Sequence, residues 1–148
     1  MPLKGEYAQE KTGWVADQLA KIDGAGTTEV ASVQGRGIVV YTIRGAKSGL
    51  LRRVPLMRVE HDGRYAVVAS KGGAPKHPVW YHSIRANPQV EVQDGARHLD
   101  GVARELSGAE RAEWWERAVR AYPPYADYQT KTDREIPVLL VEPAPAGQ

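Results

Sequence analysis

From residue 38 onward the chain is written in short β-favouring runs, each closed by glycine, proline or an Asp-Gly pair, and this rhythm limits the available folds most. Ile38-Val39-Val40-Tyr41-Thr42-Ile43 is apolar over nearly its whole length, the pattern of a strand buried on both faces. Gly45-Ala46-Lys47-Ser48-Gly49 has turn chemistry and residues 52–59 continue as a strand, so the two make a hairpin with a basic tip. His61-Asp62-Gly63-Arg64 turns the chain again into a strand over 65–70. Residues 90–92 and 99–103 read as strands joined at Asp94-Gly95, and 136–141 is the last strand. Hairpin-linked strands with few helices predict an α+β, mainly β, domain closing as a small barrel, with an open α+β sandwich as the alternative.

Helices are sparse. Residues 6–22 read as an amphipathic helix with Trp14, Val15, Leu19 and Ile22 on one face, followed by a linker over 24–28. Pro78 opens a short helical segment that ends near Asn87-Pro88. Ser107 and Glu110 form a capping-box pair for a helix reaching about Ala121. Tyr122, Tyr125 and Tyr128 follow across two prolines, which places three phenols on one loop. The expected plan is an N-terminal helix and linker (1–28), a barrel domain (29–143) and a tail (144–148).

Composition narrows the function. A length of 148 residues suits one domain that buries roughly two-thirds of its unfolded surface. The 42% hydrophobic and 26% charged fractions are those of an ordinary globular protein. With no cysteine there is no disulfide, thiol nucleophile or thiolate metal site. No run approaches the roughly 18 apolar residues of a membrane span, and the first residues lack an apolar leader core, so a cytoplasmic protein is expected. A net charge of +2 and the absence of Phe argue against a nucleic-acid partner. Arg44, Lys47, Arg52 and Arg53, however, fall in an acid-free stretch that suits a small anionic ligand.

The hairpin tip fails as a nucleotide-phosphate loop, because Ala46 stands where a glycine must precede the lysine and no helix is expected after it. Its backbone N–H groups, the Ser48 hydroxyl and its cations still suit a phosphate; a solvated basic turn is the alternative. Gly72 and Gly73 follow an apolar strand and allow backbone to approach a flat ligand, or simply form a loop. Trp80 and Tyr81 suit the wall of a ring system, or the core. His77 and His82 are off helical ligand spacing with no carboxylate or cysteine nearby, so no metal site is expected. The three phenols suit a pocket lining or a proton donor, or packing against the barrel.

Taken in order, 42–49 with Arg52, then 69–73, Pro78-Val79-Trp80-Tyr81 with Ala86-Asn87-Pro88, Tyr122-Pro123 with Tyr125 and Tyr128, and Arg134 with Ile136-Pro137 resemble the deazaflavin-dependent nitroreductase family of actinobacteria. The resemblance runs from about residue 36 to Pro143. It implies a split β-barrel like that of flavin-mononucleotide oxidases, and coenzyme F420, a 5-deazaflavin with a phospholactyl-oligoglutamate tail. It places Ala46, Lys47, Ser48, Arg52 and Arg53 at the phosphate and tail. Val54, Pro55, Leu56 and Met57 would border the deazaflavin together with Val68, Ala69, Ser70 and Lys71, with Val79, Trp80, Tyr81, His82 and Ser83 beside them. Tyr125, joined by Tyr122 and Tyr128, would cover the acceptor, with Ser70 and Tyr125 hydrogen-bonding its oxygen.

Many family members carry arginine where this chain has Ala46 and asparagine near Val54 and Pro55. Losing that cation weakens tail binding by roughly 1.5–3 kcal/mol, which Arg53 is expected to offset. The implied reaction is hydride transfer from the reduced coenzyme to a menaquinone-like quinone, with nitro-aromatic (nitroimidazole) reduction as a side activity, in a monomer or homodimer. A membrane-dissolved quinone raises peripheral contact of the first helix with the inner face of the plasma membrane. Glu6, Glu10 and Asp17 balance Lys11 and Lys21, leaving no basic face, so a packing helix is preferred. The competing functions are a flavin-mononucleotide enzyme of the same barrel class and a non-catalytic deazaflavin carrier.

Overall fold

The computed structural model describes residues 3, 5–7, 13–33 and 35–144. Four α-helices, α1 (Trp14–Ala25), α2 (Val79–Ala86), α3 (Gly108–Ala121) and α4 (Pro124–Thr130), flank the strands among these residues. The strands are β1 (Ser32–Val33), β2 (Arg36–Arg44), β3 (Leu51–Met57), β4 (Glu60–His61), β5 (Arg64–Val68), β6 (Gln89–Asp94), β7 (Arg97–Glu105) and β8 (Val138–Pro143). They pair antiparallel in the order β1-β2-β6-β7-β8-β5-β4, with β3 on the other edge of β2.

β2 is buried on both faces as expected, and its two-residue period divides the protein into two cores. Ile38 and Val40 join Leu19 and Ile22 of α1, Trp114 of α3 and Tyr125 of α4. Val39, Tyr41 and Ile43 face the other way, onto Val67, Val90 and Leu139, with Tyr81 and Ile84 of α2 closing that core. The sheet curls without a ladder joining β3 to β5 among the described residues, which is the split of a split barrel. Side chains span the gap: Arg58 Nε donates to Asp94 Oδ1 at 2.9 Å, and Tyr65 Oη donates to Asp94 Oδ2 at 2.6 Å. Burial alone would raise the Asp94 carboxyl, but these bonds outweigh it and hold its pKa below the usual range.

Several expectations need correction. α1 continues to Ala25 because Gly26, at φ 74°, supplies the left-handed cap; residues 8–12 of the expected helix lie outside the described residues. Ser107 sits at the start of α3, yet its side chain makes no cap bond, and Glu110 turns instead to Arg104 at 2.7 and 2.8 Å. The three phenols do not share a loop. Pro124 occupies the first turn of α4, where its missing N–H costs nothing, so Tyr125 and Tyr128 stand on a helix. The loop after β5 tightens into a 3₁₀ turn, Lys71–Gly73, packed on α4. Gly73 is required there: at φ 83°, a Cβ would lie 2.6 Å from the Tyr128 carbonyl oxygen.

Candidate functional site

A cleft of about 370 Å³, within the usual range for ligand sites, opens beside the split. β3 gives it Pro55, Leu56 and Met57; the end of β5 and its turn give Val68, Ser70 and Lys71; Pro78 and Trp80 come from the start of α2. Tyr122, Tyr125 and Tyr128 form the opposite wall, and Trp14 of α1 reaches in from the side. Their rings stand 5.1–6.2 Å apart, and the Tyr122 and Tyr128 hydroxyls are 3.3 Å from each other. That hydrogen bond, with burial, pushes the Tyr128 phenol up to about 12, and burial also raises Tyr125. Both are neutral hydrogen-bond donors at physiological pH.

Arg134 fastens the cleft. Its Nε donates to the Ala74 carbonyl at 2.9 Å, Nη1 to the Ala69 carbonyl at 3.2 Å and Nη2 to the Ser70 carbonyl at 2.7 Å. Nη1 also lies 2.9 Å from His77 Nδ1, which must accept, so His77 is neutral when the bond forms. Burial, then the nearby Arg134 charge, lowers the His77 pKa. Gln129 of α4 donates to the Arg134 carbonyl at 2.8 Å and accepts from Ile136 N at 2.9 Å. One guanidinium thus joins the Ser70 turn to the approach of α2, while its own backbone is tied to the tyrosine helix.

The basic tip stands outside the cleft but shares α2 with it. Ala46 N donates to Ser83 Oγ at 3.2 Å, three residues beyond Trp80. Ser48 Oγ accepts from Leu50 N at 3.1 Å and keeps its own proton for a ligand. Lys47 is exposed and makes no ion pair among the described residues; Arg52 is exposed beside it.

Not every expected residue meets the cleft. Adjacent strand positions face opposite ways, so Arg53 points beneath α1, where it holds Asp23 through two bonds of 2.6 and 2.9 Å. It lines a separate cavity of about 790 Å³ between α1 and the β2–β6 face. Val54 packs against the second core and Ala69 is buried in it. Tyr81 is buried there too and donates to Glu105 Oε1 at 2.6 Å. Val79 is 79% exposed, and the His82 ring stacks edge-on at 5.3 Å from Tyr81. Sequence reasoning gave no cleft role to Trp14, Pro78 or Arg134. Arg134 belongs to a motif that carries the family resemblance, but it lies between Asp133 and Glu135 and reads as surface charge, so composition and spacing alone give it no role.

A family model described as F420H(2)-dependent quinone reductase matches residues 14–143. An F420H(2)-dependent quinone reductase of Mycobacterium tuberculosis is 35% identical over 104 residues, covering 66% of this chain and 67% of its own. A solved F420-H2 dependent reductase (FDR-A) is 64% identical, with TM-score 0.69, covering 76% of this chain and 99% of that one. A second, described as a domain-swapped dimer, is 61% identical with TM-score 0.72, covering 87% and 97%. A Listeria innocua structure described as a pyridoxamine 5'-phosphate oxidase shares the fold at 13% identity and TM-score 0.51, covering 86% and 94%. With the split barrel, the tyrosine-walled cleft and the family match over nearly the whole described chain, this protein belongs to the F420H(2)-dependent quinone reductase family.

Proposed function

We propose that the cleft holds coenzyme F420 and a quinone face to face, with the 45–49 hairpin tip receiving the coenzyme's anionic tail. The observation that carries this reading is α2, which puts Trp80 into the cleft and braces the tip through Ser83. The residues suit the coenzyme: Pro55, Leu56 and Trp80 offer flat apolar walls, and an uncommitted Lys47 with the Ser48 hydroxyl offers charge-assisted bonds. When bound, reduced F420 supplies the hydride, and the protein contributes position and electrostatics.

Tyr125, Tyr128 and Ser70 are placed to donate hydrogen bonds to the quinone oxygen on which negative charge develops. Tyr122 and Trp14 also line the cleft and would shield a bound quinone from part of the solvent. Fluorescence titration with F420, run beside flavin mononucleotide, tests the cofactor; adding a menaquinone analogue or a nitroimidazole to the reduced complex tests the acceptor. Preference for flavin mononucleotide would favour the flavoenzyme reading, and binding without turnover would favour a carrier.

The 61% identical relative described as a domain-swapped dimer supports a homodimer. A Trp14 that is 49% exposed supports a second use of the first helix, peripheral contact with a quinone-bearing membrane. Co-sedimentation with anionic liposomes, lost on deleting residues 1–24, would establish that use. Among the described residues no helix is long and apolar enough to cross a membrane.

A further inference from the structure

The cavity of about 790 Å³ beneath α1 shares no lining residue with the cleft among the described residues. α1 is its roof, and the chain on both sides of the helix is fastened to the sheet. Before it, Leu51 N donates to the Glu6 carbonyl at 2.8 Å, and Tyr7 bridges to Leu51. After it, Thr28 N donates to the Gly95 carbonyl at 3.0 Å, and Gly95 N donates back to Thr28 Oγ1 at 2.7 Å. Leu19 and Ile22 stand the helix on the core, while Ala16 and Ala20, one turn apart, are too small to fill the space below. The cavity is therefore part of the fold, and its volume is in the range of ligand sites.

Its floor is polar where the same sheet face is otherwise apolar. Ile38 and Val40 of β2 belong to the core, but the next residue on that face is Thr42. Thr42 stands opposite Glu91 of β6, and Gln93, two residues on, is its diagonal neighbour. Thr42 and Gln93 are only 5% and 8% exposed. Gln93 Nε2 donates to the Gly95 carbonyl at 3.3 Å, but its Oε1 and the Thr42 hydroxyl make no hydrogen bond among the described residues. Glu91 Oε1 lies 3.0 Å from His98 Nδ1, and its Oε2 makes no hydrogen bond among those residues. Three neighbouring acceptors thus border one space, although buried polar groups are ordinarily paired.

Charge narrows the ligand further. Arg53, the guanidinium in the lining, is already engaged by Asp23 through two bonds of 2.6 and 2.9 Å. The Glu91 carboxylate is left to meet a ligand. We propose that the cavity is a second binding site, for a small primary amine carried on an apolar body. An ammonium brings three N–H donors and no acceptor, which matches Glu91 Oε2, Thr42 Oγ1 and Gln93 Oε1. The body of the ligand lies beneath Ala16 and Ala20, against Leu19 and Val40.

Phenethylamine is the probe, with hydrocinnamate as its anionic counterpart. Titrated into the full-length protein and followed by NMR of the backbone amides, phenethylamine should shift Ala16, Ala20, Thr42 and Gln93 saturably, and hydrocinnamate should not. Adding F420 should leave these shifts in place, because the cavity and the cleft are lined by different residues. Absence of a saturable shift at millimolar amine, or equal binding of the two probes, would overturn the site. Shifts at Ser70, Tyr125 and Tyr128 instead, or loss of the cavity shifts on adding F420, would place the amine in the cleft and overturn it as well.

Three variants separate the cavity from a charge on the surface. Glu91→Gln keeps the size, removes the charge and should weaken the amine at least roughly tenfold. Ala20→Leu fills the space without touching a polar group and should abolish binding. Thr42→Val removes one acceptor at nearly constant volume, leaves the helix untouched and should weaken binding about fivefold. Undiminished affinity in any of the three would overturn the site.

Discussion

Replacing Arg134 with Gln should loosen the cleft and the fold together. The guanidinium holds three carbonyls, at 2.7, 2.9 and 3.2 Å. Gln is too short to reach all of them and brings a single amide group. The Ser70 carbonyl keeps its bond from Gly73 N, but those of Ala69 and Ala74 lose the partner that the described residues give them. Leaving a buried acceptor unpaired costs about 1–3 kcal/mol. The buried Ala69 acceptor and the half-buried Ala74 one therefore cost about 2–5 kcal/mol together, lowering Tm by roughly 5–15 °C in a domain of this size. The Ser70 turn borders the proposed ring site, so the KM for the coenzyme should rise more than kcat falls. Thermal melting and steady-state kinetics read the two effects. Arg134→Lys should sit between wild type and Arg134→Gln, because an ammonium cannot span the three acceptors. A Tm within about 2 °C of wild type together with unchanged KM would refute the clasp.

Tyr125→Phe should lower kcat by at least roughly tenfold while Tm moves little, as expected for a donor needed mainly in the transition state; an unchanged rate would remove its role. Lys47→Ala should weaken coenzyme binding about 10- to 100-fold in a salt-sensitive way without changing affinity for a tail-less deazaflavin, read by fluorescence titration. Gly73→Ala should cost at least about 1 kcal/mol, because the φ of 83° and the Tyr128 carbonyl both resist a Cβ; an unchanged melting curve would mean that α4 yields freely. The His77 pKa is lower in the folded chain than in the unfolded one, so folding disfavours its proton. Its contribution should be intact above the unfolded value near 6.5 and fade as pH falls from there through the lower folded value. His77→Gln should flatten that part of the stability profile, measured by denaturant titration between pH 7 and 5.

The barrel was legible because its signals are local. The unbroken apolar β2 announces burial on both faces, and Asp62-Gly63 and Asp94-Gly95 mark hairpins whose registers follow from turn chemistry. The phenol segment misled because two adjacent prolines signal a break, and only packing against the Gly73 turn shows that the second of them starts a helix. The clasping role of Arg134 was illegible for a related reason: the family motif includes the residue, but its side-chain partners lie 57 to 65 residues away, and no spacing rule connects them.

The basic hairpin shows where such reading runs out. An acid-free run of cations looks like one anion site, yet strand alternation sends Arg52 and Arg53 to opposite faces. Arg53 is then committed to Asp23, with each partner stabilising the charge of the other. The expected offset for Ala46 therefore cannot come from Arg53 while α1 is docked. On the proposed reading, tail binding would then draw on Lys47 and Arg52, and on a Ser48 hydroxyl already oriented by Leu50. If the tail reaches the α1 side of the hairpin, releasing α1 would free Arg53 for an anion, and helix docking would be coupled to tail affinity through one ion pair. Asp23→Asn, which weakens the pair and leaves Arg53 in place, should tighten the long-tailed coenzyme relative to a tail-less deazaflavin. Equal affinities for the two ligands in that variant would confine Arg53 to holding the helix.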